Sequence, residues 1–321
     1  MKKGLAITLI GCVVLFILGL ILFFVGLNTG GSIGFNVDYK NHEVSTAKDY
    51  KLNTGEQEVS AFSNIDINAS AADITIVEGD SYKVKYALYE KSEPTIGVEN
   101  DTLKIVTKNE KIPVFTFFGT NTENSPKIEI TVPAGTKFSD VSIVTNSGDI
   151  KLDGYTIDTL NLTSNAGDFD FKNLTTTSIK MNVDAGDIDL KDITTKDFQL
   201  ESNAGDIKAT GLTVDTAKID MDAGDVNILD SEIKNVKAEL SAGDMKLKNI
   251  KADNFDIDAD YGDIDLEIAG EEADYNIDID VSAGDVEIND KDVKSHYSSN
   301  SNTDKTLKIN TDAGDVEVSF R

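Results

Sequence analysis

The sequence predicts an all-β protein, a parallel β-solenoid of about 19 residues per turn that follows one N-terminal transmembrane helix. Three observations predict it. Gly-Asp pairs begin at Gly148, Gly167, Gly186, Gly205, Gly224, Gly243 and Gly262, each 19 residues after the last, and two more at Gly284 and Gly314 follow longer gaps. Apolar and polar residues alternate on both sides of these pairs, the period of a strand with one buried face. An uncharged apolar run from Gly4 to Leu27 follows Met1-Lys2-Lys3, long enough to span roughly 30 Å of hydrocarbon at ~1.5 Å per residue.

In chain order, residues 1–3 are a cytoplasmic tail and 4–27 the anchor. A secretory signal would have a shorter apolar stretch and a small-residue cleavage site, which Leu27-Asn28-Thr29-Gly30 does not supply. Lys2 and Lys3 favour a cytoplasmic N-terminus, which puts the C-terminal domain on the extracytoplasmic side of a single-pass protein. Leu9-Ile10-Gly11-Cys12 is similar to a lipoprotein lipobox, but the apolar run continues past it to Leu27, so Cys12 reads as a small hydrophobe within the helix. Residues 28–60, weakly periodic and mixed in charge, suit a spacer. Residues 61–139 hold short alternating runs such as Ile65-Asp66-Ile67 and Ile74-Thr75-Ile76, and Ser70-Ala71-Ala72-Asp73 is a degenerate copy of the Gly-Asp corner. These are irregular opening turns that cap the stack, with Pro113 to Pro126 as a protruding loop. Residues 140–321 are the regular repeats, interrupted by a polar loop over 289–305.

Each repeat carries apolar residues seven and five before the glycine, as in Leu160 and Leu162, and two and four after it, as in Phe169 and Phe171. A third anchor follows at Leu174, Ile193, Leu212 and Ile250, so the unit has three short sides and returns the chain to its start. One turn buries too little to offset the entropy of ordering it, so turns must stack. Nine turns at ~4.8 Å each give a rod about 43 Å long. The corner has a local reason: glycine takes positive φ without penalty, and the aspartate after it accepts hydrogen bonds from nearby backbone amides.

Composition narrows function. The net charge is −27, of which −24 falls in residues 140–321, and Arg321 is the only arginine. That excludes nucleic acid, whose affinity comes from basic contacts to phosphate. One cysteine excludes an intramolecular disulfide and a cysteine-based zinc site, and the two histidines, His42 and His296, are far apart. Stacking predicts an outward acidic column of Glu201, Asp220, Glu239, Asp258 and Asp280 beside a corner column of Asp206, Asp225, Asp244, Asp263 and Asp285. Two explanations stand open. The corner aspartates cap amides while the outward column is solvated and partly balanced by Lys218, Lys237, Lys246 and Lys248, or Asp258, Asp260, Asp263, Asp280 and Asp285 bind Ca²⁺ weakly. The Gly-Gly-x-Gly-x-Asp pattern of calcium-binding β-rolls is absent. Paired carboxylates also suit a polysaccharide-cleaving enzyme, yet acids are everywhere here and pairing selects nothing. Ser231-Glu232-Ile233-Lys234 fits Ser-x-x-Lys but lacks its helical setting. No catalytic residue and no cofactor is assigned.

An anchor followed by strand repeats with Ser-Ala-Gly-Asp or Asn-Ala-Gly-Asp corners resembles the LiaG-like "putative adhesin" family of bacteria, over roughly Ala61 to Arg321 and the anchor. The resemblance implies a right-handed parallel β-helix in the cell envelope, linked in some members to envelope stress, with no established reaction and no functional residues to carry across. The expectation is a non-enzymatic envelope module that binds or scaffolds an unknown surface partner. The alternatives are a signalling accessory of an envelope-stress system and, behind it, a polysaccharide-active enzyme.

Overall fold

The computed structural model describes residues 35–38, 43–46, 52–89, 94–107 and 125–321. The expected anchor, Cys12, residues 28–34, 39–42 and 47–51 of the expected spacer and residues 113–124 of the expected loop lie outside the described residues. Among the described residues no helix is long and apolar enough to cross a membrane. Phe35–Asp38 and Glu43–Thr46 form a two-stranded antiparallel pair, and the remaining 26 strands form one sheet.

That sheet is the expected solenoid. Thr156–Ser164 pairs in parallel with Lys137–Thr145 on one side and Thr175–Val183 on the other, so Leu160 sits between Val141 and Ile179. Phe169–Lys172 sits likewise between Ile150–Asp153 and Ile188–Lys191. In the nine-residue strands from Lys137–Thr145 to Thr213–Met221 the in-out alternation slips once, as where Asp158 and Thr159 both turn outward between buried Ile157 and Leu160. The strand bends there, and the bend makes the third side. Leu160, Leu162, Phe169, Phe171 and Leu174 then fill the interior of one turn, none more than 2% exposed. Each such side chain removed from water contributes roughly 1.5–3 kcal/mol.

The parallel stack has eleven layers, against the nine expected from the Gly-Asp pairs. At ~4.8 Å per step it is about 48 Å long. The two extra layers come from the opening segment. Asn64–Ala69 pairs in parallel with residues 140–145 and with Thr102–Thr107, and Asp73–Gly79 pairs in parallel with Lys127–Pro133. Beyond them the pairing turns antiparallel. Lys83–Tyr89 lies between Lys127–Pro133 and Leu52–Glu58, and Pro94–Glu99 covers Thr102–Thr107. Leu52–Glu58 falls inside the stretch expected to be spacer, where its polar sequence LNTGEQE carries no strand period. These antiparallel strands cover the first parallel edge.

At the other end stacking order departs from chain order. Lys305–Ala313 lies between Asn254–Tyr261 and Tyr275–Ala283, parallel to both, and Val316–Phe320 lies between Ile264–Ile268 and Val286–Ile288. His296–Ser299 then covers the outer edge of Tyr275–Ala283 in antiparallel fashion. The link from Ile268 to Tyr275 contains the short 3-10 turn Glu272–Asp274 and climbs two layers. The Tyr275 ring is buried, its hydroxyl donates to the Ala252 carbonyl at 2.6 Å, and burial pushes the phenol pKa up to about 12.

Nine corner glycines, Gly148 through Gly314, have φ between +124° and +156°. A Cβ built on Gly205 would stand 2.1 Å from the Gly186 carbonyl oxygen, and one on Gly224 2.1 Å from that of Gly205. Gly154 also has positive φ, but nothing lies within 4 Å of its added Cβ. Gly205→Val is therefore expected to cost roughly 3 kcal/mol or more, from strain plus a backbone clash. Gly154→Asn should stay within about 0.5 kcal/mol, because asparagine tolerates the left-handed region. Urea melts of the two variants check this, and equal midpoints would refute the close-approach explanation.

Candidate functional site

The corner column is a hydrogen-bonded ladder. The Asp225 amide donates to Asp206 Oδ1 at 3.0 Å, Asp244 to Asp225 at 2.9 Å, and Asp263 to Asp244 at 2.9 Å. Below them the chain of bonds runs unbroken from Asp73 through Asp149, Asp168 and Asp187. Above them it passes from Asp263 to Asp315 and then to Asp285, following stacking order. Positive φ at the glycine aims the next amide at the carboxylate one layer away. A charge-assisted bond of this kind contributes roughly 1.5–3 kcal/mol, against a repulsion of about 1 kcal/mol between carboxylates one layer apart in a water-like dielectric. The bond wins.

The outward column forms in part as expected. Glu201, Asp220, Glu239 and Asp258 are in register in consecutive layers. Asp258 and Asp280 are not neighbours, because Asn310 of the inserted layer stands between them. Asp263 and Asp285 are likewise separated by Asp315. Nothing in the local sequence places residue 310 before residue 280, and the structure corrects the column expected in chain order. Lys237 Nζ is 2.9 Å from Glu239, and this contact holds the Glu239 carboxyl below its ordinary pKa and raises that of Lys237. Lys246 and Lys248 lie on a different side of the solenoid and pair with Asp265.

The five calcium candidates therefore do not gather at one point. Asp280 faces His296 at 3.7 Å, while Asp263 Oδ1 is engaged by the Asp315 amide. Among the described residues no group of three or more His, Cys, Asp or Glu side chains converges as a metal cage.

A second column escaped the sequence reading. Gly154, Asn173, Asp192, Gly211, Asp230 and Asn249 all have positive φ, between +49° and +83°, and form the corner after the short strand. Asn173 Nδ2 donates to Asp153 Oδ1 at 2.8 Å and Asn249 Nδ2 to Asp230 Oδ1 at 2.7 Å. The signal was present, since the residue six after each corner glycine from Gly148 to Gly243 is Gly, Asn or Asp.

The family model described as Toastrack DUF4097 matches residues 62–319. Among solved structures, the chain is similar to a "putative adhesin" from Bacteroides fragilis NCTC 9343, with 16% identity, 84% of this chain and 97% of that chain covered, and a TM-score of 0.42. It is also similar to a "putative adhesin" from Parabacteroides merdae ATCC 43184, with 15% identity, coverage of 67% and 95%, and a TM-score of 0.36. A "putative cell adhesion protein" from Clostridium sporogenes ATCC 15579 shares 14% identity with coverage of 84% and 100% and a TM-score of 0.23. No curated protein matches the chain.

Two outcomes follow from the ladder. Asp206→Ala removes the acceptor of the Asp225 amide and should cost about 1 kcal/mol, whereas Asp206→Asn keeps an oxygen there and should cost less than about 0.5 kcal/mol. Thermal unfolding of both variants measures the difference, and equal losses would deny the bond its role. At matched ionic strength, CaCl₂ and NaCl should raise the melting temperature of the parent equally, by screening alone. A larger shift in calcium, abolished by Asp260→Asn/Asp263→Asn, would instead establish a specific site.

Proposed function

Because this chain belongs to the Toastrack DUF4097 family, we propose that it is a cell-envelope binding or structural module: a right-handed solenoid held to the membrane by residues 4–27, with its repeats on the extracytoplasmic side and no catalytic or cofactor role. The observation that carries the proposal is repetition on the outer surface. Glu201, Asp220 and Glu239 occupy one outward position in successive layers, so a partner with its own repeat meets the same contact every layer. Many weak contacts on a stiff scaffold sum to useful avidity. Lys2 and Lys3 before the apolar run support the orientation.

The test compares cells carrying the full chain with cells carrying residues 1–60 alone. External protease should digest the repeats of the full chain on intact cells or spheroplasts, and loss of the repeats should abolish binding of the cells to their surface partners. Protection of the repeats overturns the orientation. Unchanged binding together with an altered envelope-stress response overturns the module and favours a signalling accessory.

A further inference from the structure

The inserted layer at the C-terminal end has a cause in charge register. In stacking order one outward column reads Asp256, Lys308, Asp278, and the next reads Asp258, Asn310, Asp280. Had the turns stacked in chain order, Asp256 would meet Asp278 and Asp258 would meet Asp280 one layer apart, at ~4.8 Å. Like charges directly opposite on neighbouring strands destabilise the pairing. The observed order instead puts Lys308 Nζ 3.4 Å from Asp256 and Lys305 Nζ 4.0 Å from Asp253, and sets an amide between Asp258 and Asp280.

One column opposes this. Asp260 lies level with Asp312, where chain order would offer Ser282. On the short side Asp265, Glu317 and Glu287 are acidic in either order, so that column is indifferent. Two repulsions avoided and two attractions made outweigh one repulsion incurred. Tyr275 adds a latch, since its hydroxyl reaches past the inserted layer to the Ala252 carbonyl while Lys305 Nζ lies 5.3 Å over its ring.

The order also decides what the end of the rod exposes. In the observed order the outer edge of Tyr275–Ala283 is covered by His296–Ser299. Chain order would give that edge to Lys305–Ala313, displace His296–Ser299, and leave a bare parallel edge of the kind that recruits another strand. We infer that Lys308 and Asn310 select the stacking order of the last two turns, and that this selection keeps the C-terminal edge closed to end-on addition of a second copy of this chain.

Disulfide trapping in the full-length chain, with Cys12→Ser throughout, reads the order directly. Tyr261 pairs with Ala313 in the observed order, and would pair with Ala283 only in chain order. Adjacent layers hold Cα atoms within disulfide range. In the parent, Tyr261→Cys/Ala313→Cys should crosslink and Tyr261→Cys/Ala283→Cys should not. Adding Lys308→Glu/Asn310→Asp should shift the balance between the two orders by roughly ten-fold or more toward the 261–283 crosslink, with concentration-dependent association seen by light scattering. Asp256→Asn/Asp258→Asn removes the repulsion without adding charge and should move the balance the same way, which decides the matter should the first variant fail to fold. Retention of the parent crosslink pattern in Asp256→Asn/Asp258→Asn, or in a folded Lys308→Glu/Asn310→Asp, overturns the inference.

Discussion

Backbone hydrogen bonding between layers is the constraint on which the rest of the structure depends. Each strand bonds to its equivalent above and below, so every turn must trace the path of its neighbours to within the tolerance of a hydrogen bond. At the corner that path brings one chain's carbonyl into the space a Cβ would occupy in the next, as with Gly186 against Gly205. Glycine recurs there because the neighbouring layer leaves no room. The recurrence in sequence is the trace of stacking joined to a positive φ that glycine alone adopts without strain; Ala72, at the start of the column, is not among the positive-φ residues.

The same constraint stacks like charges, and the molecule handles them in two ways. At the corner each carboxylate accepts an amide from the adjacent layer, and the bond exceeds the repulsion. On the outward column no such amide is available, and relief comes from solvent, from Lys237 beside Glu239, and from Asn310 between Asp258 and Asp280. Corner aspartates are thus committed to the scaffold, while the outward acids stand at the solvent-facing surface. A mixed composition in the outward column and an almost invariant one at the corner follow from that difference.

A ladder that propagates without limit also needs ends. Both are closed by antiparallel strands, Lys83–Tyr89, Leu52–Glu58 and Pro94–Glu99 at one end and His296–Ser299 at the other. Antiparallel pairing suits this task because a short hairpin reverses the chain at once, whereas another parallel layer would need a full turn and would leave the same edge again.

The repeat, the three-sided unit and the role of the corner aspartate were legible in the amino-acid sequence. Gly148 to Gly262 recur at one interval, and Leu160, Phe169 and Leu174 mark the inward positions without reference to any distant residue. The second corner at Asn173 and Asp192 was equally local and equally legible. Tertiary structure alone decided the rest. Residue 310 lies before residue 280 in the stack, and residues 102–107 lie beyond residues 64–69, because layer order depends on which edges meet after the chain has looped back. Local sequence specifies what a layer looks like, since side-chain alternation and corner sterics act within a few residues. It leaves open which layer lies on which, since interlayer bonds are made by backbone atoms common to every residue and only the charges and side-chain bulk across the interface tell one neighbour from another.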